Sequence, residues 1–297
     1  MGFGALAEQF FEQHSVFGAC RPVLGFASAS WRDVGGNAMD ILGTERHGRG
    51  IVRLVMRHAT AHNAMGEALR GALLNAFTDL LSDRTVRVII IATALKNFSV
   101  GGDLSGMDDL GDARAGRARM ASAHRLARLL LAADKPMIAE VQGYAMGAGA
   151  GLALMCDTIV LGETATIGFP FPRVGLAPDF AIAYTLPRRV GFGQAKQALL
   201  YGRSFRGAEA RAIGLADDVV ADADVAAKVM ERAHEIAALP SHALALTKRM
   251  LERCDDAGAV LDIESMAQAL CFTTDDLREG VTAFREKRKP HFDPTVE

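Results

Sequence analysis

Two glycine-bearing segments and one aspartate are the parts of this 297-residue chain whose types and spacing bear most directly on chemistry. Phe98-Ser-Val-Gly-Gly-Asp-Leu104 and Gly143-Tyr-Ala-Met-Gly-Ala-Gly-Ala-Gly151 both offer backbone with little side chain around it. N–H groups left open in such segments are ready donors to an anion, and small residues let a substrate approach. Brought together, the two would form an oxyanion hole, in which removing one donor costs about 2.7–4 kcal/mol. Taken singly, each reads better as a tight packing turn. The aspartate is Asp179, in Val174-Gly-Leu-Ala-Pro-Asp179. A carboxyl against Phe169, Phe171 and Phe180 is expected to have a raised pKa, which suits a group that shuttles a proton. The competing reading is that Asp179 only caps a helix starting near Phe180.

Other signals carry less. Gly147-Ala-Gly-Ala-Gly151 is G-x-G-x-G, not the G-x-G-x-x-G of a dinucleotide loop, and lacks a following acidic residue at the required spacing. His58 and His62 are four apart, but no third ligand stands near them, so a solvated loop is expected and no metal. Neither G-x-S-x-G nor H-E-x-x-H occurs. Asp103 is expected to cap the helix after the first loop.

The elements that must position these residues follow from periodicity. Residues 50–56 and the β-branched run 86–92 read as strands, the second buried on both faces as in a parallel or spiral sheet. Leu69, Leu73, Leu74, Phe77, Leu80 and Leu81 recur at helical spacing across 64–81. A helix is expected over 120–132, stopped by Asp134-Lys-Pro136, then a strand over 137–141, helix from Leu152 and extended chain over 158–161. Each glycine segment therefore directly follows a strand. The alternation argues for an α/β core. From Gly207 onward, 207–214, 223–239, 241–254, 258–272 and 276–288 all read as helices.

Composition excludes several classes. Half the residues are apolar and 33 basic residues face 35 acidic ones, for a net charge of −2, which argues against a disordered chain and against a generic nucleic-acid binder. No apolar run reaches the roughly 20 residues that span a bilayer. Cys20, Cys156, Cys254 and Cys271 are widely spaced, so a disulfide framework is not expected and a reducing cytoplasm is. Residues 1–42 lack sustained periodicity and read as an N-terminal extension, 43–235 as the core and 236–297 as a helical C-terminal region.

Taken in order, these segments resemble the crotonase superfamily of enoyl-CoA hydratases and isomerases over residues 43–297. Gly48-Arg-Gly-Ile-Val-Arg-Leu54 is similar to its first strand, and Arg57-His-Ala-Thr-Ala-His-Asn-Ala-Met65 to its R-P-x-x-x-N-A-L turn. The two glycine segments match its F-x-x-G-x-D-L loop and its second loop with the helix that follows. Gly175-Leu-Ala-Pro-Asp179, Leu186-Pro-Arg-Arg-Val-Gly191 and Glu279 to Pro290 complete the set.

The resemblance implies a spiral of ββα turns with a helical C-terminal trimerisation region, assembled as a trimer or hexamer. It implies an acyl-CoA substrate whose coenzyme A is part of the substrate, with no permanently bound cofactor, nucleic acid or membrane. By position, the backbone N–H groups of Gly102 and Ala148 would hold the thioester oxygen. Substrate contacts carry over to Arg57, Phe98, Val100, Gly101, Phe169, Phe171 and Tyr184, and, toward a neighbouring subunit's CoA, to Phe284 and Lys287. A hydratase uses two glutamates on water. Their places here are Gly151 and Phe171, so an ordinary hydratase is not expected. Asp179 stands where isomerases carry their proton-shuttling carboxylate, as in the phenylacetate-pathway epoxide isomerase. The same place holds the nucleophile of 4-chlorobenzoyl-CoA dehalogenase, but the tryptophan of that enzyme is replaced by Phe171. An acyl-CoA isomerase is the expected activity, with aryl-CoA dehalogenase, thioester hydrolase or a non-catalytic acyl-CoA-binding homologue as alternatives.

Overall fold

The computed structural model describes residues 41–103 and 112–292; the expected extension lies almost wholly outside them. β1 (Leu42–His47) and β2 (Ile51–Met56) form an antiparallel hairpin, turned by Arg49 and Gly50 at φ of 60° and 68°. A Cβ on Gly50 would sit 2.3 Å from the Thr85 carbonyl oxygen, so only glycine fits that turn. β1 corrects the reading of residues 48–54 as the first strand. It lies at the sheet edge with an exposed face and carries no apolar alternation to announce it.

α1 (Glu67–Ser82) then leads to β3 (Val88–Thr93), α2 (Ala113–Leu131) and β4 (Met137–Val141). β5 (Tyr144–Met146) and α3 (Ala148–Leu154) complete one ββα turn. β6 (Thr158–Gly162), β7 (Thr166–Gly168) and α4 (Ile182–Leu200) make the next. The chain continues through β8 (Ser204–Arg206), α5 (Gly207–Ala212), β9 (Asp218–Val220) and α6 (Val225–Ala237). Three helices finish it, α7 (Ser241–Glu252), α8 (Ala257–Cys271) and α9 (Asp275–Glu286). The expected boundary at 235/236 thus falls in the last turn of α6.

One sheet has the order β1-β2-β3-β4-β6-β9, parallel from β2 onward, and the other the order β5-β7-β8. β3 is buried on both faces, as its sequence predicts. Ile89 and Ile91 enter the main core with Leu69, Leu73 and Phe77 of α1, whereas Val88, Ile90 and Ala92 pack under Val225, Val229 and Ala233 of α6. A carboxylate is buried within the sheet: Glu140 of β4 is 1% exposed. Arg53 of β2 meets it with a two-bond fork, Nε to Oε2 at 2.9 Å and Nη2 to Oε1 at 2.7 Å, which compensates the cost of burying it.

Candidate active site

The first glycine loop leaves β3 and is laced to the chain on either side. Asn63, wholly buried, donates from Nδ2 to Thr93 Oγ1 at 2.9 Å and to the Phe98 carbonyl at 3.2 Å, while its Oδ1 accepts the His58 N–H. Ser99 Oγ donates to the Asn63 carbonyl at 2.6 Å and accepts the Gly101 N–H at 3.2 Å. The Met65 N–H donates to the Gly101 carbonyl at 2.7 Å, which fixes the plane of the peptide carrying the Gly102 N–H.

The second loop is built against the first. Ser99 pairs with Ala145 of β5 in a parallel bridge, with Ser99 N–H to the Tyr144 carbonyl at 2.9 Å and Met146 N–H to the Ser99 carbonyl at 3.0 Å. Gly101 takes φ of +104°, and a Cβ there would lie 2.7 Å from the Met146 carbonyl oxygen. Gly147 (φ 48°, ψ −119°) turns the chain into α3, and a Cβ on Gly149 would strike Ser99 Cβ at 2.6 Å. These glycines are small because two backbones meet there. The reading of two independent packing turns is therefore replaced by one joined structure. Among the described residues, the N–H groups of Gly102 and Ala148 donate no hydrogen bond within the protein. Backbone donors that find no described partner at buried or half-buried positions are uncommon, and an acceptor from outside could take them.

Asp179 is half-buried, and its Oδ1 is buried without a partner. It does not cap the following helix: α4 begins at Ile182 behind Ala181, with no side-chain cap bond, and only the Asp179 carbonyl accepts the Ile182 N–H, at 3.0 Å. Phe180 and Ala181 adopt left-handed φ of 50° and 61°. Such residues cost of order 1–3 kcal/mol each and persist where packing holds them; Phe180 is 1% exposed. Burial pushes the Asp179 carboxyl above the usual carboxylate range, against the pull of its own backbone N–H and of Arg70, Arg119 and His124.

Positions 151 and 171, where the resemblance expects a hydratase's glutamates, are filled by packing. A Cβ on Gly151 would lie 2.9 Å from both Phe180 Cβ and the Phe180 carbonyl oxygen and 3.1 Å from Ile182 Cγ1. No side chain starts there without moving α4's entry. Phe171 is buried, and its ring edge lies 3.7 Å from where a Gly147 Cβ would stand, beside the second loop.

The other expected contacts scatter. Phe98 and Phe169 have no exposed surface, and Phe169 meets Phe205 edge-on at 6.5 Å. Val100 is half-buried. Tyr184 is partly exposed under the Arg188 guanidinium, 3.6 Å above its ring, and Arg188 also pairs with Asp255. Arg57 is exposed beside Gly43 of β1. Phe284 is 85% exposed near the end of α9, and Lys287 follows in a left-handed cap. Asp103 does not cap α2, whose cap is Asp112, accepting the Ala115 N–H; Asp103 Oδ2 lies 3.0 Å from where a Cβ on Gly66, at the start of α1, would stand. His58 and His62 bracket a short turn, and among the described residues no group of three or more His, Cys, Asp or Glu is placed to hold a metal ion.

Sequence reasoning missed Asn63, Ser99 and Arg70 as supports. Arg70 of α1 is 7% exposed, donates from Nη1 to the Met65 carbonyl at 2.5 Å, and keeps a buried Nε without a partner. Its signal was present: position 70 shares a helical stripe with Leu73, Leu74 and Phe77, where a charge is out of place.

The fold and the joined glycine loops define a class, and comparison with known proteins agrees. The family model described as enoyl-CoA hydratase/isomerase matches residues 46–295. The chain belongs to the enoyl-CoA hydratase/isomerase family, the crotonase superfamily. It is 32% identical over 284 residues to human enoyl-CoA hydratase domain-containing protein 2, mitochondrial, covering 92% of this chain and 95% of that protein. It is 34% identical over 242 residues to the crotonyl-CoA hydratase of Syntrophomonas wolfei, covering 80% and 93%. The crystal structure of an enoyl-CoA hydratase from Mycobacterium smegmatis superposes with a TM-score of 0.79 at 30% identity, covering 84% of this chain and 98% of that one. Among the described residues no helix is long and apolar enough to cross a membrane.

Proposed function

We propose that the chain is an acyl-CoA isomerase that moves a double bond in an unsaturated CoA thioester, with Asp179 as its proton shuttle. The Asp179 carboxylate removes a proton from the carbon next to the thioester carbonyl. The N–H groups of Gly102 and Ala148 hold the enolate oxygen as negative charge develops there. The protonated carboxyl then returns the proton at a more distant carbon, the double bond shifts, and the carboxylate is restored. Coenzyme A takes part only as a portion of the substrate.

The observation that carries this reading is the filled space at Gly151, together with the buried, unpartnered Oδ1 of Asp179. The relatives named above carry the name of a hydratase or of a hydratase domain. Hydration needs water held and split between two carboxylates, and their places here are glycine and phenylalanine. One carboxylate suffices to take and return a proton. The same reading has the chain assemble as a trimer or hexamer in the cytoplasm, with Phe284 and Lys287 reaching a neighbouring subunit's CoA. Arg57 would lie near the CoA diphosphate, and Val100, Phe171 and Tyr184 would face the acyl group.

The test uses purified protein with a β,γ-unsaturated acyl-CoA and, separately, with crotonyl-CoA. Conjugation of the first without hydration of the second is expected. Asp179→Asn is expected to abolish turnover while acyl-CoA binding persists. Undiminished isomerisation by that variant refutes the role of Asp179. Hydration of crotonyl-CoA, or halide release from an aryl-CoA without isomerisation, refutes the isomerase.

A further inference from the structure

The geometry points to Arg70 as a positioning residue that serves both halves of the site, holding the backbone that fixes the Gly101–Gly102 peptide and setting its charge toward the Asp179 carboxylate. This inference rests on the proposed role of Asp179. Its first half is a short relay of backbone contacts. Arg70 Nη1 donates to the Met65 carbonyl at 2.5 Å, and the Met65 N–H donates to the Gly101 carbonyl at 2.7 Å. The Gly101 carbonyl and the Gly102 N–H belong to one planar peptide, so a donor that fixes the first aims the second. Arg70 therefore anchors the turn at Met65 from α1, while Ser99 Oγ secures the same loop from the other side.

The second half is electrostatic. The charges acting on the Asp179 carboxyl are Arg70 from α1 and Arg119 and His124 from α2, and all three favour the carboxylate. Arg119 also donates to the Asp103 carbonyl. Burial and Arg119 push the Arg70 guanidinium below its ordinary range, against the pull of Glu67, Asp179 and Asp103. Of the two arginines, Arg70 is the one with 7% exposure and a buried, unpartnered Nε. Water therefore screens its field less. A shuttle must begin as the carboxylate, yet burial favours the acid. A fixed buried cation opposes that tendency without touching substrate.

The test compares Arg70→Gln with Arg70→Lys. Glutamine keeps a donor for Met65 but removes the charge; lysine keeps the charge but loses the planar fork. Turnover and its pH dependence are measured with a β,γ-unsaturated acyl-CoA, and folding is checked by circular dichroism. Arg70→Gln is expected to move the acidic limb of the kcat profile to higher pH. Arg70→Lys should leave that limb in place and lower kcat by about 10- to 100-fold at nearly unchanged KM, the scale expected when a reacting group is misplaced. A role confined to stability would lower the melting temperature of both variants and leave limb and kcat alone. A folded Arg70→Gln with the wild-type limb overturns the inference, as does Arg70→Lys with wild-type kcat, and the lysine variant decides alone if the glutamine variant does not fold. Asp179→Asn that keeps isomerase turnover removes the reading beneath; a silent Asp179→Asn beside an unmoved limb removes only the role of Arg70.

Discussion

Replacing Gly151 by alanine isolates the packing that closes the space at position 151. Gly→Ala inside a helix gains about 1 kcal/mol of intrinsic propensity, so the substitution needs an internal reference. Gly71 supplies it. Gly71 is exposed in α1, and a Cβ there meets nothing within 4 Å. Gly71→Ala should therefore stabilise by about 0.5–1 kcal/mol. At Gly151 the new methyl would meet Phe180 Cβ and the Phe180 carbonyl oxygen at 2.9 Å each, and Ile182 Cγ1 at 3.1 Å. One of these atoms is backbone in a left-handed residue, so it has little freedom to give way. Overpacking of this kind costs about 1–3 kcal/mol. Gly151→Ala should thus fall about 1–3 kcal/mol below Gly71→Ala, or roughly 2–12 °C in melting temperature for a domain of this size. Because Phe180 follows Asp179 directly, isomerase turnover should fall too. Thermal melts of both variants, followed by the acyl-CoA assay, provide the comparison. If Gly151→Ala melts as high as Gly71→Ala, α4's entry is not closed over this glycine, and the argument against a carboxylate there collapses.

Two further predictions concern the site. Burial raises the Asp179 carboxyl, so between the ordinary carboxylate range and its folded value the native chain binds more protons than the unfolded one, and stability falls as pH rises through that window. Asp179→Asn should therefore melt above wild type at neutral pH and converge with it in acid; an equal gap at both would deny the burial. Gly147→Ala has room for its methyl, 3.7 Å from the Phe171 ring, but not the φ of 48° with ψ of −119°. It should cost about 1–3 kcal/mol from backbone strain and lower kcat by turning the Ala148 N–H. Unchanged melting and turnover would show that this geometry is not needed.

What the sequence makes legible is what periodicity and glycine spacing encode. The run Val86 to Ala92 announces a strand buried on both faces, and β3 is one, with alternate residues in two separate cores. The C-terminal helices fall within a few residues of expectation because Pro240 and Gly258 punctuate them. β1 is silent because an edge strand with exposed side chains needs no apolar alternation. α2 begins at Ala113, seven residues before the expected Met120, because Asp112 caps a polar first stretch that no apolar stripe marks. α3 begins within the Gly-Ala run at Ala148, where propensity is poor and burial decides. The glycine loops are recognisable as chemistry, but their junction is not, since Ser99 meets Ala145 and Gly149 only through the fold. Asp179 is legible as an acid among phenylalanines; Arg70 is legible only as a misplaced charge.

Under the proposed reading, the residues at 151, 171 and 179 form one arrangement. Glycine at 151 lets the Phe180 backbone approach α3 closely, which holds the left-handed pair 180–181 and with it the residue just before them, Asp179. A glutamate at 151 would need that space and would also set a second negative charge near a carboxyl that burial already makes costly to ionise. Phenylalanine at 171 replaces the other carboxylate by an apolar ring beside Gly147, where negative charge would oppose an enolate at the Ala148 N–H. Packing thus fills the two places where the resemblance expects hydratase carboxylates, while Asp179 keeps its Oδ1 buried without a partner. A proton held by a desolvated carboxyl is returned to carbon more readily than lost to solvent, and that is the requirement of a double-bond shift and not of hydration.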